Sequence, residues 1–577
     1  MTAETDFNGA SSPAQGQEPP ANKTSPDHDG LRSKETSLTE VDTALKGVEH
    51  VEDDTLKEAT ENTTDYPTGF KLITLILALC MAVFLVALDQ TIIATAIPKI
   101  TDRFKSISDI GWYGSAYFLT STSLQPTFGR IYKVFDTKVI FLIAIAVFEL
   151  GSLVCAVAPS STVLIVGRAV AGMGVGGIFS GALVIIARSL PLEKRPMVFG
   201  TFGGMWGLAS IAGPLLGGVF TDKANSSSLP IGGLSMAIVF LVLHFPRDPS
   251  DSKRRYLDRI KELDLIGASI LIPGIICLLL AVQWGGNTFP WNNSRIIGLF
   301  VGAGCLLILF VYSQIRLGDK ATLPPRILKQ RTVGAASAYV FFFGAGIFAM
   351  MYYLPLYLQS VKDSSPTKSG IQILPLMLST VLTSILAGIY VTLVGYYTPL
   401  IILSSALMTI GAGLITTFNI DTVFGKWFGY QVITGLGAGV AFNIPLVAVQ
   451  TVLDMDDIPI GSVCIMFFQS LGGALFIAVA QSVFQNGLID GLKKYAPELD
   501  PKVMVNTGAT AIRSVLKAMD REDLLRPAIM AYVNGLKNTY RVTVAVFGVA
   551  FLMACLFEWK SVKKEGEKAK GQESAMA

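Results

Sequence analysis

Three ionisable residues stand inside long apolar segments of the sequence, and they are the first candidates for chemistry. They are Asp89, Glu149 and Arg168. A charged side chain at the centre of a membrane helix costs roughly 2.5–3.5 kcal/mol on insertion scales, so such residues face a cavity or each other and mark a functional site. A purely structural ion pair is the alternative. The histidines lie in a polar N-terminal stretch or at the end of an apolar segment, so a proton relay at depth must use carboxylates.

Position along the apolar segments separates these three residues. Asp89 and Arg168 both fall in the outer third of their segments and are placed to pair, whereas Glu149 lies near the middle of its segment. Burial favours the protonated form of a carboxyl group, and a nearby arginine favours the charged form. A carboxylate balanced between these effects can load and release a proton in different conformations. We therefore predict that Asp89, Glu149 or both carry a coupling proton, with Arg168 tuning Asp89.

A glycine- and proline-rich pattern marks the apolar segment 197–220. Its defining positions are Gly200, Ala209, Gly213, Pro214, Gly217 and Gly218. Because Pro214 has no N–H, the carbonyl of Ser210 loses its helical partner and the helix can bend. Small residues let another helix pack closely, so ordinary helix packing is the alternative reading of this pattern.

The elements that must position these residues are membrane-spanning helices. Of 577 residues, 51% are hydrophobic and 15% are charged, compared with about 25% charged in a typical soluble protein. A helix needs about 20 apolar residues to cross about 30 Å of hydrocarbon. Fourteen apolar segments are candidate spans, and all but the 16-residue segment 230–245 come close to this length or exceed it: 72–98, 111–131, 138–158, 163–188, 197–220, 230–245, 265–283, 295–314, 333–357, 370–396, 398–417, 426–450, 459–484 and 541–558.

Lysine and arginine are concentrated in alternate connections between the predicted spans. The connections at Lys133, at Arg195 and at 315–332 are basic. Those at 159–162 and 285–294 are nearly uncharged. Because cytoplasmic loops carry the excess of Lys and Arg, both termini are predicted to be cytoplasmic. The plasma membrane is the predicted location, with the vacuolar membrane second.

Residues 168–176 and 431–439 form an internal repeat on predicted spans 4 and 12. The aligned pairs are Gly172 with Gly435, Gly174 with Gly437, Gly176 with Gly439, and, at the same offset, Pro196 with Pro459. The two copies cross in the same direction, as in transporters whose halves are related by an axis along the membrane normal. If span 12 is the fourth helix of a second six-helix half, spans 7 and 8 lie between the halves. The arrangement predicted is 6 + 2 + 6.

Motifs of the main alternative classes are missing from the sequence. It has no Gly-x-x-x-x-Gly-Lys-Ser/Thr loop for nucleotide phosphates, and its Gly-x-Gly-x-x-Gly match at 172–177 lies inside an apolar span with no preceding strand. Neither a catalytic constellation nor metal-ligand spacing of cysteines is present. We predict no enzyme activity, no metal, no cofactor and no nucleic-acid partner. Active transport would draw on an ion gradient.

Three motifs resemble those of the major facilitator superfamily, and within it the fungal fourteen-span drug:proton antiporters. They are residues 88–98 in span 1, residues 167–176 in span 4 and the Gly-Pro pattern in span 5. The resemblance extends over about 70–558 and implies an all-α integral membrane protein. It also implies a proton-coupled exporter of small organic molecules such as drugs, toxins or secondary metabolites. A proton-driven importer of siderophores or metabolites is the alternative.

The domain organisation follows from the predicted spans and this resemblance. Residues 1–69 are a polar cytoplasmic tail predicted to be disordered. Two six-helix halves, 70–245 and 333–558, flank a linker of two helices at 246–332. The second half includes a long exterior loop at 485–540, whose pattern predicts one or two amphipathic helices, for example around Ala509–Met519. A basic cytoplasmic tail follows at 559–577. A monomer is the family default.

The substrate cavity is expected between the halves, near the membrane midplane. Aromatic rings and neutral amides there suit bulky organic molecules of low charge, although helix packing is the commoner role for each aromatic. The candidate lining residues are Tyr117, Gln125, Trp206, Phe342, Tyr353, Gln372, Gln431, Asn443 and Gln469. Asn225 and Asn292 stand in Asn-x-Ser sequons in predicted exterior loops and are candidates for glycosylation.

The sequence departs from the family pattern at two places. In the loop after span 2, Lys133 stands where the superfamily has an acidic residue, and Asp136 is the nearest carboxylate that can replace it. Between spans 5 and 6, the family's Trp- and Arg-bearing segment is missing before residues 229–233, and span 6 has about 16 apolar residues. At 1.5 Å per residue this span is roughly 24 Å long, shorter than the bilayer core.

Overall fold

The computed structural model describes residues 69–104, 110–222, 263–286, 289–501, 504 and 512–567. Within these ranges thirteen helices have 18 or more residues. They are α1 (Gly69–Phe104), α2 (Ile110–Val134), α3 (Thr137–Ala156), α4 (Ser161–Ser189), α5 (Arg195–Asp222), α6 (Leu265–Trp284), α7 (Ser294–Leu317), α8 (Arg331–Ser360), α9 (Pro366–Val394), α10 (Thr398–Ile415), α11 (Phe424–Val452), α12 (Ile458–Tyr495) and α13 (Leu525–Ala554).

The all-α fold predicted from the sequence is confirmed. Thirteen of the fourteen predicted spans coincide with α1–α13, and the remaining one, 230–245, lies outside the described residues. Among the described helices, ten are long and apolar enough to cross a membrane. The fourteen-span count is consistent with these helices.

Contacts between connections define two faces of the bundle. The face that carries the α2–α3, α4–α5, α7–α8, α9–α10 and α11–α12 connections and the segment after α13 is named the basic face. Lys133 at the end of α2 contacts Asp457 before α12, and Val562 after α13 donates its N–H to the carbonyl of Gly395 between α9 and α10. The α3–α4, α6–α7, α8–α9, α10–α11 and α12–α13 connections form the opposite face.

Close glycine contacts hold α4 against its neighbours. A β-carbon at Gly172 would overlap the Tyr117 carbonyl of α2, and one at Gly174 would overlap the backbone of Phe148 in α3. No larger side chain fits at these positions without moving a helix, because the obstructing atoms belong to the backbone. Glycine therefore sets the spacing of α2, α3 and α4.

The aligned glycines of α11 make the equivalent contacts in the second half of the chain. A β-carbon at Gly435 would overlap Leu376 and Ser379 of α9, and one at Gly437 would overlap the carbonyl of Ser404 in α10. Spans 2, 3 and 4 thus pack as spans 10, 11 and 12 do. The repeat found in the sequence is a repeat of helix packing.

The α1–α5 group meets the α8–α13 group mainly along two helix pairs, with smaller contacts of α4 with α12 and of α5 with α11. Helix α5 packs against α9, and α2 packs against α12. Near the basic face the approach is close, since a β-carbon at Gly129 of α2 would lie 3.1 Å from Cβ of Val463 in α12. We call the α2–α12 contact the α2–α12 seam.

Helices α6 and α7 form a hairpin, and α6 packs beside this seam against both α2 and α12. A buried carboxylate, Asp264, ties the basic end of the hairpin together. It accepts hydrogen bonds from Gly267 N at 2.6 Å, from Gln314 Nε2 at 2.8 Å, and from both Thr322 N and Thr322 Oγ1 at 2.9 Å. Burial opposes ionisation, but these donors outweigh it and hold the pKa of Asp264 below its usual value.

The segment 485–540, predicted as an exterior loop with one or two amphipathic helices, is largely helical in its described part. Helix α12 continues to Tyr495, a short helix spans Ile512–Ala518, and α13 begins at Leu525. Charged residues such as Arg526 and Lys537 lower the mean hydropathy of the first turns of α13, so a search for apolar segments does not include them. The opposite side of the same turns buries Ala528, Tyr532 and Leu536.

Candidate functional site

Asp89 on α1 and Arg168 on α4 form an ion pair in the interior of the bundle. Arg168 Nη1 donates to Asp89 Oδ2 at 2.6 Å. The Arg168 side chain is 4% exposed and that of Asp89 is 25% exposed. Water or a proton can therefore reach the carboxylate more easily than the guanidinium, which stays fixed.

Two groups on α2 hold the Arg168 guanidinium in place. Its Nε donates to the backbone carbonyl of Tyr113 at 2.9 Å, and its Cζ lies 4.2 Å from the centroid of the Tyr117 ring. The Tyr117 hydroxyl accepts a hydrogen bond from Gln90 Nε2 at 3.4 Å, and Gln90 follows Asp89 on α1. The ion pair thus joins α1, α2 and α4.

Glu149 lies on α3, half-buried, at the boundary between the face packed on α4 and the exposed face. The negative charge of Asp89 acts on it electrostatically. The described contacts give Glu149 no partner comparable to Arg168. The structure thus brings Asp89 and Arg168 into contact and places Glu149 nearby on another helix.

The glycine pattern of α5 contacts α1 on one side and α9 on the other. A β-carbon at Gly213 would overlap the Thr91 side chain, and Thr91 Oγ1 donates to the carbonyl of Ala209 at 3.1 Å. At Gly200 a β-carbon would lie 3.0 Å from the Ser384 carbonyl of α9. Pro214, Gly217 and Gly218 lie in α5, but their packing is outside the described side chains.

Three of the candidate cavity amides are buried with an unsatisfied polar atom in the described residues. They are Gln125 Oε1, Gln431 Oε1 and Gln469 Nε2. Buried amide atoms without a partner are costly, and a bound ligand can satisfy them. Gln125 lies four residues before Gly129 on α2, and Gln469 lies six residues after Val463 on α12, so both stand beyond the Gly129–Val463 contact as seen from the basic face.

The two other amides among the candidates already have partners. Gln372 Oε1 accepts from Ser364 Oγ at 2.7 Å, and Asn443 Nδ2 donates to Ser384 Oγ at 2.9 Å. These bonds occupy one atom of each amide group.

The candidate aromatic residues are in packing contacts. Trp206 stacks on Phe179 with ring centroids 6.4 Å apart, and Phe342 meets Phe341 edge-to-face at 5.2 Å. Tyr353 is 8% exposed and packs against Phe484 with centroids 5.6 Å apart. Tyr117 lies against Arg168, as described above.

Tyr352 is a residue that the sequence reading missed in favour of its neighbour. The residue is 51% exposed, and its hydroxyl would lie 3.5 Å from a β-carbon at Gly114 of α2, so it reaches across from α8 to the other helix group. The helical phase of adjacent tyrosines, which depends on how α8 packs, decides which one faces the cavity.

Asp457 joins three parts of the chain at the basic face. Its Oδ1 accepts from Lys133 Nζ at 3.0 Å and its Oδ2 from Arg326 Nη2 at 2.6 Å. Lys133 ends α2, and Arg326 lies in the short helix Pro325–Lys329 that follows the α6–α7 hairpin. Asp136, the carboxylate suggested by sequence for this role, caps α3 by accepting from Lys138 N at 2.8 Å.

We expect Asp457→Asn to loosen the basic end of the α2–α12 seam. The change removes two ion pairs while keeping the shape of the side chain. Because both cations are partly exposed, the two ion pairs stabilise the closed seam by only about 1 kcal/mol. Their loss should change the population of molecules with a closed seam roughly fivefold. Spin-label distances between the basic ends of α2 and α12 measure this population.

Asp319→Asn is the matched control, because its pair with Arg326 is exposed on both sides. An unchanged distance distribution in Asp457→Asn would contradict the expectation. Burial opposes ionisation of Asp457, but Arg326 and Lys133 outweigh it and lower its pKa. The stabilisation is therefore present above the unfolded pKa of about 3.9 and is lost only as pH falls through the lower folded value.

Of the two glycosylation candidates, Asn292 is exposed next to the start of α7, and Asn225 lies outside the described residues. No group of three or more potential metal ligands occurs in the part of the chain that the structure covers.

A bundle of long apolar helices built on a repeated packing unit, with a charged pair inside, defines a multi-pass membrane transporter. The family model of the Major Facilitator Superfamily matches residues 79–477. The chain belongs to this superfamily.

Relatives and solved structures agree with this assignment. The chain is 48% identical to the "MFS-type efflux pump MFS1" of Arthroderma benhamiae over 91% of this chain and 98% of that protein. It is 44% identical to the "Efflux pump aflT" of Aspergillus parasiticus over 88% and 99%. The crystal structure of the human organic anion transporter MFSD10 matches with a TM-score of 0.54 at 13% identity, covering 84% of this chain and all of that one, which supports the fold.

Proposed function

We propose that this transporter exports small organic molecules, such as drugs, toxins or secondary metabolites, in exchange for protons. The observation that carries the proposal is the Asp89–Arg168 pair, in which a fixed, buried guanidinium meets a carboxylate that is 25% exposed. Protonation of Asp89 neutralises the carboxylate and removes its attraction to Arg168. A binding event at one site thereby changes the contacts between α1 and α4.

Two further observations support export of weakly charged organic molecules. The two relatives described above are named as efflux pumps. The buried amides of Gln125 and Gln469, on helices from the two groups, offer an acceptor and a donor to a neutral ligand between them. These two amides can bind polar groups of a ligand without placing another charged side chain in the interior.

The proposed cycle uses the two helix groups as alternating halves. We place the halves at 70–245 and 333–558, with the α6–α7 hairpin as a linker and the proton gradient as the only energy source. The basic face is proposed to be cytoplasmic, because cytoplasmic loops carry the excess of Lys and Arg. Both termini would then be cytoplasmic, and a monomer in the plasma membrane is the proposed working form.

Efflux from yeast cells lacking their own pumps tests this function. Cells expressing the chain should retain less of a lipophilic fluorescent dye panel than cells with empty vector. A protonophore or Asp89→Asn should remove the difference, and Glu149→Gln shows whether the second carboxylate contributes. Surface expression is measured for every variant.

Two results would contradict the proposal. Higher dye retention in expressing cells than in empty-vector cells would indicate import, the alternative function named in the sequence analysis. Lower retention that survives both the protonophore and Asp89→Asn would exclude coupling through Asp89.

A further inference from the structure

Tyr117 contacts Arg168 with its ring and Gln90, the residue that follows Asp89 on α1, with its hydroxyl. Its ring lies 4.2 Å beneath Cζ of Arg168, and its hydroxyl accepts from Gln90 Nε2 at 3.4 Å. The residue is fully buried. A side chain enclosed in this way between α1 and α4 has no surface left for a substrate in the cavity.

We propose that Tyr117 is a positioning residue for proton coupling, which holds the Arg168 guanidinium in line with Asp89, and that it is not part of the substrate site. The inference rests on the proposed function, since it assigns Tyr117 to the coupling site described there.

The ring is the part of Tyr117 that matters for this role. A guanidinium over an aromatic face is attracted by the ring quadrupole, most strongly when water is excluded. Arg168 Nε and Nη1 are already directed at the Tyr113 carbonyl and at Asp89, so the ring fixes the remaining degree of freedom, the tilt of the guanidinium plane. Without the ring the guanidinium can tilt away from the carboxylate whenever Asp89 is protonated, and the pair re-forms more slowly.

Other titratable groups surround the pair and must be considered in any pH response. They are Glu149 and Cys155 on α3 and Tyr352 on α8. None of them contacts the face of the guanidinium that Tyr117 covers, according to the described ring contacts. A change at Tyr117 therefore acts on Asp89 through Arg168.

Tyr117→Phe and Tyr117→Leu separate the ring from the hydroxyl. The phenylalanine variant keeps the ring and loses the bond to Gln90, whereas the leucine variant loses both. Transport of rhodamine 6G by the purified full chain in proteoliposomes, driven by a pH gradient, should stay within about twofold of wild type in Tyr117→Phe. It should fall roughly tenfold in kcat, with KM for the dye unchanged, in Tyr117→Leu.

Tyr132→Leu is the matched control for helix packing. Tyr132 is also a buried tyrosine of α2 that packs on α4, and its hydroxyl donates to the Gly177 carbonyl at 2.8 Å, far from the pair. Loss of the Tyr132 ring should lower the amount of folded protein. The dependence of dye transport on pH, measured per folded molecule, should stay unchanged. A profile altered equally in Tyr132→Leu would show that general packing is responsible and would overturn the proposal.

A second measurement keeps the test independent of transport. The carboxylic-acid infrared band that disappears in Asp89→Asn reports protonation of Asp89, and its pH midpoint should move by at least about half a unit in Tyr117→Leu but not in Tyr117→Phe. A changed KM with an unmoved midpoint would assign Tyr117 to the substrate site and overturn the proposal. If wild type carries no dye, the proposed function fails while the infrared midpoints still decide the role of Tyr117.

Discussion

Replacing Arg168 with leucine is expected to abolish proton-driven transport and to destabilise the folded protein. The change leaves the Asp89 carboxylate inside the bundle without its cation and removes the side-chain hydrogen bond to the Tyr113 carbonyl. Breaking a buried ion pair by removing one partner costs roughly 3–5 kcal/mol, and the partial exposure of Asp89 places the expected loss near the lower end, about 3 kcal/mol. Thermal unfolding of the purified protein measures this loss.

The double variant Asp89→Asn with Arg168→Leu provides the decisive comparison. Removing both charges eliminates the unpaired carboxylate, so most of the lost stability should return, whereas transport should not. Stability and transport are thereby separated within one cycle of variants. Recovery of both would mean that the pair is only structural.

Replacing Gly174 or Gly437 with leucine is expected to prevent correct packing in either half of the chain. Each side chain would have to occupy space filled by backbone atoms, of Phe148 in α3 or of Ser404 in α10. Overpacking a close contact costs typically 1–3 kcal/mol, and more where the obstacle is backbone that cannot repack. The yield of monodisperse protein in detergent should fall at least about tenfold for both variants.

Gly298→Leu is the matched control for this pair. Gly298 lies on α7, and no atom stands within 4 Å of a β-carbon built there. The same substitution should therefore leave the yield within about twofold of wild type. Equal losses at all three positions would indicate a general intolerance of glycine replacement and not a repeated packing unit.

The glycine repeat shows how much of the fold the sequence can predict. Apolar length alone locates the helices. The aligned glycines relate span 4 to span 12, and in the structure each of these two helices packs closely on two neighbours through those glycines. Helix ends are less predictable where charge and burial disagree. Residues 525–540 carry cations on one side and bury Tyr532 and Leu536 on the other, so a window average of hydropathy misses the first turns of α13.

The Asp89–Arg168 pair is the part of the candidate site that can be predicted from the sequence. Asp89 and Arg168 stand out because charges are rare in apolar segments, and comparable depth brings them together. The side of a helix that faces a cavity is harder to foresee. Tyr117, Tyr352 and Tyr353 all lie in aromatic-rich segments, and only packing reveals that the first contacts Arg168 and the second reaches toward α2.

The partner of Lys133 could not be foreseen from the local motif. Lys133 stands where the superfamily has an acidic residue, so its cation needs a carboxylate from another part of the chain. That carboxylate belongs to Asp457, which is more than 300 residues away along the chain. A pair over such a distance depends on how α2 and α12 come together. The described contact also brings in Arg326 from the α7–α8 connection, for which the sequence offers no signal.

Proton movement driven by substrate is the most direct measurement of the central claim. Purified protein is reconstituted into liposomes containing a pH-sensitive dye, with no imposed gradient, and rhodamine 6G is supplied on one side. Proton-coupled exchange predicts that protons move in the direction opposite to the dye. The pH inside the liposomes should therefore change, and this change should disappear in Asp89→Asn. Dye transport by wild type without any proton movement would contradict coupling through the Asp89–Arg168 pair.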